Sequence, residues 1–293
     1  METHPGARRP VPPLAVVAGS VTRDRLLLDG EPLAPRIGGA VWYAGGALRA
    51  LGFHVRAVYR RAPRDADLDE ALAEAGLSPR PEPARRTTVF ELDYRGAGGA
   101  LAELRAPALA EPVPAEAVVA AAAGAALLHL GPLHPLDLDP ALWRRLPEGP
   151  LRGLDLQGLA RAVGQDGRVR PAPDARLAEA LAAADIAKAN AGEALLLTGA
   201  ADPAGAALAL ARATRGGEAV VSLGAEGALA ARGGEHWHVA ATPVEGLRET
   251  TGAGDILLAA YLARRLEGAT PQQALWFAVG YTGRRLAARA ADR

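Results

Sequence analysis

Short apolar runs alternate with helical stretches along most of this 293-residue chain, and this alternation limits the fold more than any other feature. Residues 14–18 form an apolar run closed by Gly19-Ser20, which is typical of a buried first strand, and residues 53–60 predict the next strand. From residue 116 onward, apolar runs recur between helical segments, at residues 125–130, 151–156, 186–189 and 219–223. Strands separated by helices predict an α/β fold: a mostly parallel central sheet with helices on both faces, in three layers.

Two segments do not fit such a sheet. Residues 87–94 and 101–105 alternate in polarity around a glycine-rich run at 95–99, which is a hairpin signal. The early segment is mixed in character and contains the turn signal Asp29-Gly30. We expect the segments at roughly 21–37 and 86–106 to form a small β lid on a single domain that covers residues 1–293.

The composition limits the partners and the location of the protein. Its formal net charge is zero, with 33 basic and 33 acidic residues, so no overall field favours nucleic acid or an anionic membrane. Aromatic residues make up only 4% of the chain, which excludes a stacking platform for nucleic acid, and the absence of cysteine excludes disulfides. No apolar run reaches the ~18 residues that span a bilayer, and the N-terminus lacks a signal-peptide core. We expect a soluble cytoplasmic protein without nucleic-acid or membrane partners.

The run Gly252-Ala253-Gly254-Asp255 comes directly before a helix-forming apolar stretch. Two glycines allow backbone amides to converge on one small space, and the start of a helix adds about half a positive charge there. Such a space can hold a phosphoryl group, and Asp255 at its rim can take a proton from an attacking hydroxyl. The alternative is that this run reflects a chain rich in glycine and alanine, and that Asp255 only caps a helix.

A second motif gathers residue types that are rare in this chain. Lys188 is its only lysine and Asn190 is its only asparagine. Asn190 and Glu193 are three residues apart and therefore share one face of a helical first turn. An amide and a carboxylate there can hold waters around Mg²⁺, although the same pair can also serve only to start a helix.

In this order, the motifs resemble those of the ribokinase (PfkB-type carbohydrate kinase) family. The family signature reads Asp-Thr-x-Gly-Ala-Gly-Asp, with Glu249 here in place of the first aspartate, and its second motif reads Asn-x-x-Glu. The pair Gly38-Gly39 resembles the family's N-terminal Gly-Gly, and Tyr43 stands where the common pattern has asparagine, as in a subgroup with inositol kinase-like members. The resemblance implies the ribokinase-like α/β/α sandwich with a small β lid.

The resemblance also implies a set of site residues. Asp255 is expected to be the general base, with the amides of Gly252, Ala253 and Gly254 around the phosphoryl group. The expected cofactor-binding residues are Asn190, Glu193, Ser222, Gly224, Gly227 and Thr251, with Glu193 reaching Mg²⁺ through water. The expected substrate-binding residues are Asp24, Gly38, Gly39, Tyr43, Gln157 and Arg161. The residues alone leave open that Tyr43 only packs and that Asp24 is an ordinary surface aspartate.

The function implied is an ATP- and Mg²⁺-dependent kinase that phosphorylates a hydroxyl of a small polyol: a sugar, a sugar acid or a cyclitol such as myo-inositol. One alternative is a nucleoside kinase of the same fold, with Trp42 and Tyr43 as a slot for the base. Another is a non-catalytic homologue that senses a small ligand. A β lid often doubles as a dimer surface in this family, so a homodimer through the lid is open. The family's terminal loop, part of a monovalent-cation site, looks short or missing here, so potassium dependence is doubtful.

Overall fold

The computed structural model describes residues 11–95, 100–244, 247 and 250–291. Glu249 and most of the hairpin turn at 95–99 lie outside the described residues. The strands are β1 (Leu14–Gly19), β2 (Thr22–Leu28), β3 (Glu31–Pro32), β4 (Arg36–Gly38), β5 (His54–Arg61), β6 (Ser78–Pro83), β7 (Thr88–Arg95), β8 (Ala100–Ala108), β9 (Leu127–Gly131), β10 (Leu151–Asp155), β11 (Arg161–Val163), β12 (Val169–Pro171), β13 (Ile186–Asn190), β14 (Glu218–Ser222), β15 (Ala228–Arg232) and β16 (Glu235–Val239). The helices are α1 (Ala40–Ala50), α2 (Asp67–Glu74), α3 (Ala115–Ala121), α4 (Leu177–Ala183), α5 (Ala191–Thr198), α6 (Pro203–Ala213), α7 (Ala253–Leu266) and α8 (Pro271–Ala291).

The central sheet has nine strands in the order β16-β15-β14-β13-β10-β9-β1-β5-β6. The seven strands from β14 to β6 are mutually parallel, and β15 and β16 extend one edge in antiparallel fashion. The predicted mostly parallel sheet is therefore confirmed. The antiparallel edge follows from the chain itself, because the short turn after β14 leaves no room for a crossover helix.

Helices cover both faces of this sheet because its inner strands are apolar on both sides. In β1, Ala15 and Val17 join the core under α1, α7 and α8, whereas Val16 and Ala18 join the core under α3, α4 and α6. This alternation is the period of two that a strand imposes on its side chains. Helix α7 is buried without interruption from Asp255 to Ala263, so it is the central helix of its layer.

A second, smaller sheet has the order β3-β2-β7-β8, with β4 also paired to β2. Strands β2 and β7 run parallel, with Asp24 beside Phe90, and β7 and β8 form the antiparallel pair predicted from the alternation of polarity. These strands occupy the two segments expected to form a β lid. Their action as a lid on a single domain stays a prediction.

Within the described residues, no single helix has the length and hydropathy to cross a membrane. Taken together, α5 and α6 would pass that test, but a bend of 63° separates them.

Candidate active site

The carboxyl ends of the parallel strands bring the predicted motifs to one edge of the central sheet. By register, Asp155 at the end of β10 pairs with Lys188 on β13, and Asn190 at the end of β13 pairs with Ser222 at the end of β14. Strand β1 lies between β9 and β5, where the order of the chain across the sheet reverses. In open α/β sheets, ligands bind outside the carboxyl ends of the strands at such a reversal.

The turn before α7 has the backbone shape that its glycines predict. Gly252 adopts a left-handed conformation with φ of 76°, and a Cβ there would overlap the ring of Tyr43. The Ala253 amide donates to the Thr250 carbonyl at 2.9 Å, and the helix begins at Ala253. The first-turn amides of a helix have no partners within it, and the helix dipole favours an anion there. The Ala253 amide is engaged inside the turn in this structure, so its predicted contact with a phosphoryl group requires a rearrangement.

Asp255 lies in the first turn of α7 and is buried. Burial, together with the charge of Asp155, raises its pKa to about 7, although Lys188 and Arg161 act in the opposite direction. The carboxylate of Glu193 adds to the increase. A carboxyl group with a pKa near neutrality can accept and return a proton under physiological conditions, which is the property expected of a general base.

Lys188 and Asp155 form a buried ion pair behind this turn. The Lys188 Nζ donates to Asp155 Oδ2 at 2.9 Å, and both side chains are almost fully buried. Burial acts to lower the pKa of Lys188, but the carboxylates of Asp155, Glu193 and Asp255 outweigh it and raise the pKa above its usual value. A Cβ at Gly254 would overlap Nζ, so the ammonium group lies directly against the glycine of the motif.

Neither Lys188 nor Asp155 was among the predicted site residues. The signal in the sequence was the survival of one lysine in a chain that otherwise uses arginine. An ammonium group is more compact than a guanidinium group, and only the compact group suits the space between Gly254 and Asp155.

Arg161 brings a second positive charge to the site. It follows a short 3₁₀ turn, Gln157–Ala160, after β10. Burial lowers the pKa of Arg161, and the charges of Glu193, Asp155 and Asp255 oppose that change. Among the residues that the structure describes, its guanidinium group makes no hydrogen bond or ion pair. This cation therefore has donors available for an anionic ligand.

Gln157, the neighbouring predicted residue, contributes a backbone contact. Its amide donates to Asp155 Oδ1 at 3.0 Å and so helps to orient the carboxylate that holds Lys188.

Asn190 and Glu193 form a capping box at the start of α5. The Glu193 amide donates to Asn190 Oδ1, and the Asn190 amide donates to Glu193 Oε2, both at 2.9 Å. These hydrogen bonds match the alternative in which the pair serves to start a helix. Within the described residues, no group of three or more acidic or histidine side chains is placed to hold a metal ion. The role of Glu193 in holding Mg²⁺ through water stays a prediction.

The turn after β14 lies at the same edge. Gly224 and Gly227 both have positive φ, of 63° and 99°, and a Cβ at Gly227 would overlap the Val239 carbonyl oxygen. The Leu223 amide donates to the Gly227 carbonyl at 2.8 Å and closes the turn. Ser222 precedes this turn, beside Asn190 on the adjacent strand. Whether these residues contact a nucleotide stays a prediction.

Asp24 and the Gly38-Gly39 pair form one unit at the base of the small sheet. Asp24 is only 6% exposed and accepts a hydrogen bond from Thr22 Oγ1 at 2.7 Å, so it is not an ordinary surface aspartate. A Cβ at Gly38 would overlap the Asp24 carboxylate. Gly39 has φ of 91°, and a Cβ there would overlap the Ser20 carbonyl oxygen at the end of β1. The two glycines therefore allow a buried carboxylate to lie beside the edge of the central sheet.

Three side chains from separate elements contact the turn before α7. The ring of Tyr43, on α1, packs against Gly252, and the Arg289 guanidinium group lies over that ring, 5.1 Å from its centroid. Arg289 Nη1 also donates to the Thr251 carbonyl at 3.0 Å, and the Tyr94 hydroxyl lies 3.3 Å from Thr251 Oγ1. In this structure Tyr43 therefore packs on the motif, whereas Tyr94 and Arg289 escaped sequence reasoning because no local pattern marks them.

Part of the chain that contains this site matches a known protein family. Residues 156–283 match the model of the pfkB family carbohydrate kinase, and this span includes Lys188, Asn190, Glu193 and the motif that ends at Asp255. This match, which spans less than half of the chain, is to a PfkB-family carbohydrate kinase domain. A search of curated proteins gives no match.

Solved structures extend the likeness of fold to most of the chain. A pyrophosphate-dependent kinase in the ribokinase family, complexed with a pyrophosphate analog and myo-inositol, matches with a TM-score of 0.80 and 20% identity, over 93% of this chain and 94% of that one. A probable sugar kinase from Rhizobium etli CFN 42 matches with a TM-score of 0.73 and 15% identity, over 96% and 98% of the two chains. The adenosine kinase from Sinorhizobium meliloti matches with a TM-score of 0.72 and 17% identity, over 96% of this chain and 99% of that one. The ribokinase-like α/β fold is confirmed.

Proposed function

We propose that this PfkB-domain protein transfers a phosphoryl group from ATP·Mg²⁺ to a hydroxyl of a small polyol, either a sugar, a sugar acid or a cyclitol. The observation that carries the proposal is a buried carboxyl group at a helix N-terminus with a pKa raised to about 7 by its burial and by Asp155. Lys188 and Arg161 bring positive charge to the same place. A proton acceptor next to an anion-binding space is what phosphoryl transfer to a hydroxyl requires.

In this proposal, Asp255 accepts the proton of the acceptor hydroxyl as its oxygen attacks the donor phosphate. Such a base typically contributes ~10²–10⁴ in rate. The start of α7 and the Lys188 ammonium group, which lies against Gly254, stabilise the charge of the group in transfer. Little covalent chemistry is left for the protein in phosphoryl transfer, so positioning and electrostatics supply most of the rate.

A buried acidic residue supports a polyol as the acceptor. Asp24 has its carboxylate between Thr22 and Gly38, at the base of the small sheet. Carboxylate oxygens accept hydrogen bonds from hydroxyl groups, and a polyol offers several of them. The small sheet would close over the acceptor and exclude water, so that the phosphoryl group does not pass to solvent.

A groove beside α8 supports a nucleotide as the donor. It has a volume of about 540 Å³ between residues 242–244 and α8, and Val244, Val279 and Arg284 are among its lining residues. A flat base suits a groove with apolar walls and few polar groups. Glu193 keeps one carboxylate oxygen outside the capping box, so it can hold a water on Mg²⁺, which would neutralise donor phosphate charge when bound.

Pyrophosphate is a second candidate for the donor. Two cations, Lys188 and Arg161, act on Asp255, and among the described residues Arg161 makes no hydrogen bond or ion pair. A compact diphosphate carries its charge over few atoms and gains most from such a pair. One of the similar structures is a pyrophosphate-dependent kinase.

The test is a product-release screen with ATP·Mg²⁺ and with pyrophosphate·Mg²⁺ against sugars, sugar acids, inositols and nucleosides. Asp255→Asn serves as the blank, because it removes the base and leaves the size of the side chain unchanged. A signal that is lost in the variant supports the kinase and identifies donor and acceptor class, including a nucleoside. Turnover that survives in Asp255→Asn would refute the assignment of the base. Donor binding without turnover across the panel would favour a sensor of a small ligand.

A further inference from the structure

The turn before α7 is held by the last turns of α8, which lie far from it along the chain. Arg289 donates through Nη1 to the Thr251 carbonyl at 3.0 Å, and its guanidinium carbon lies over the ring of Tyr43, 5.1 Å from the centroid. The same ring meets Gly252, since a Cβ on Gly252 would overlap the ring carbons. We call Arg289, Tyr43 and Gly252 the clamp.

The clamp supplies support that the turn lacks on its own. Among the described residues, the backbone hydrogen bonds of the turn are those from Ala253 to Thr250 at 2.9 Å and from Ile256 to Gly252 at 3.0 Å. Gly252 contributes conformational freedom, because its left-handed φ of 76° is accessible to glycine at little cost and the residue has no side chain to anchor it. A catalytic group contributes most when the segment that carries it is already held in position.

We propose that Arg289 is a positioning residue, whose guanidinium group fixes the Thr251–Gly252 turn against Tyr43 and so sets the position of the start of α7, including Asp255. Its kinetic consequence rests on the proposed kinase function, whereas its effect on the turn does not. A guanidinium group suits this task because it stacks on an aromatic face and donates in its own plane at the same time.

The geometry implies that the clamp acts on the position of the turn and not on the charge of the base. The groups that act most strongly on Asp255 come from the elements packed around it: Asp155 on β10, Lys188 on β13, Arg161 on β11 and Glu193 on α5. Arg289 is not among them, and its contacts include Thr251 and Tyr43, which lie in the turn and on α1. Loss of Arg289 is therefore expected to lower the rate without moving the pH at which the base ionises.

The matched variants are Arg289→Met and Arg285→Met. Both remove one guanidinium group from α8 and keep an unbranched side chain that favours a helix. Arg285 is exposed and lies one turn earlier on the same helix, so it controls for the loss of charge. Arg289→Lys is the second test variant if Arg289→Met fails to fold, because it keeps the charge and loses the stacked plane.

The first measurement is hydrogen exchange of the folded protein, which needs no activity. In Arg289→Met, amides in peptides that cover residues 250–256 should exchange roughly tenfold faster or more, the loss expected for one hydrogen bond and one cation–π contact. Peptides from β14 should be unchanged, and Arg285→Met should match the natural protein throughout. Unchanged exchange at 250–256 in both Arg289 variants would overturn the proposal.

The second measurement uses the donor and acceptor found in the screen. Arg289→Met should lower kcat by about 10–100-fold, with the acceptor KM within about threefold and the acid limb of the pH–rate profile in place. A full kcat, or an acid limb that moves with the loss of rate, would contradict a positioning role. If the natural protein turns over no pair in the screen, the proposed function fails, and hydrogen exchange alone decides the clamp.

Discussion

Substitution of Gly254 by alanine tests how closely the buried ion pair and the phosphoryl site are coupled. The added Cβ would overlap Lys188 Nζ and would lie 3.0 Å from Cε and 3.7 Å from Asp155 Oδ2. Carbon atoms in contact normally stay about 3.5 Å or more apart, so the end of the lysine must move by roughly 1 Å. Its 2.9 Å hydrogen bond to Asp155 would then lengthen beyond a normal bond.

Two effects of this change can be estimated. Overpacking of a well-filled site typically destabilises a fold by about 1–3 kcal/mol. Displacement of a catalytic group by about 1 Å can cost ~10²-fold in rate. A third effect has a definite sign: Lys188 acts to lower the pKa of Asp255, so a displaced Lys188 raises that pKa and moves the acid limb of the pH–rate profile to higher pH.

The assays are the free energy of unfolding from urea titration and kcat across pH with the substrate pair found in the screen. Gly46→Ala is the matched control, because Gly46 lies in α1 and an added Cβ there meets no atom within 4 Å. That control should be stabilised by about 0.5–1 kcal/mol, as expected for alanine in a helix. A Gly254→Ala protein that keeps its full rate and its acid limb would refute the coupling of the ion pair to the site.

Three further predictions concern the site and its surroundings. The pKa of Asp255 is raised to about 7, above its value of 3.8 in the unfolded chain, so the stability that its protonation contributes is fully present below pH 3.8 and is lost as pH rises through 7. Asp255→Asn should therefore raise the melting temperature more at alkaline than at acidic pH. An equal rise at both pH values would contradict the raised pKa. Asp24→Asn should raise the acceptor KM by about tenfold and leave the donor KM unchanged, measured by steady-state kinetics, and an effect on the donor alone would exclude Asp24 from the acceptor site. Leu28, Leu33 and Leu101, in or next to the small sheet, are 38% to 48% exposed, and we propose a homodimer through this sheet. Leu33→Asp should therefore convert the dimer to a monomer in sedimentation velocity. A natural protein that sediments as a monomer would exclude the dimer.

The order of elements could be predicted because each depends on residues close in sequence. Strand β1 is apolar on both faces, and the helix after Gly38-Gly39 and the hairpin of β7 and β8 follow from local periodicity and turn residues. The antiparallel pairing of β15 and β16 also has a local signal, the two-residue turn Gly233-Gly234. The parallel order of the inner strands has none, since an apolar run does not record the direction of its neighbour.

The Asn190–Glu193 motif illustrates the limit of local reasoning about the site. Its spacing predicted either a capping box or a magnesium ligand, and the structure contains the capping box. The two uses are compatible, because a helix start that caps itself also lies at the carboxyl end of a parallel strand, where ligands bind. Only the position of Glu193 relative to Asp255, Lys188 and Arg161 brings it into the field of the site.

The sequence by itself determined the α/β class, the likeness to the PfkB family and the location of the Gly252–Asp255 motif. These features depend on hydrophobic period, glycine placement and the order of motifs, which are local properties of a chain. The tertiary structure alone decided that Lys188 pairs with Asp155, that Arg289 reaches Thr251, and that Asp255 is buried with a pKa near 7. Those contacts join residues 33 and 38 positions apart in the chain, and their distances are set by strand order and helix packing.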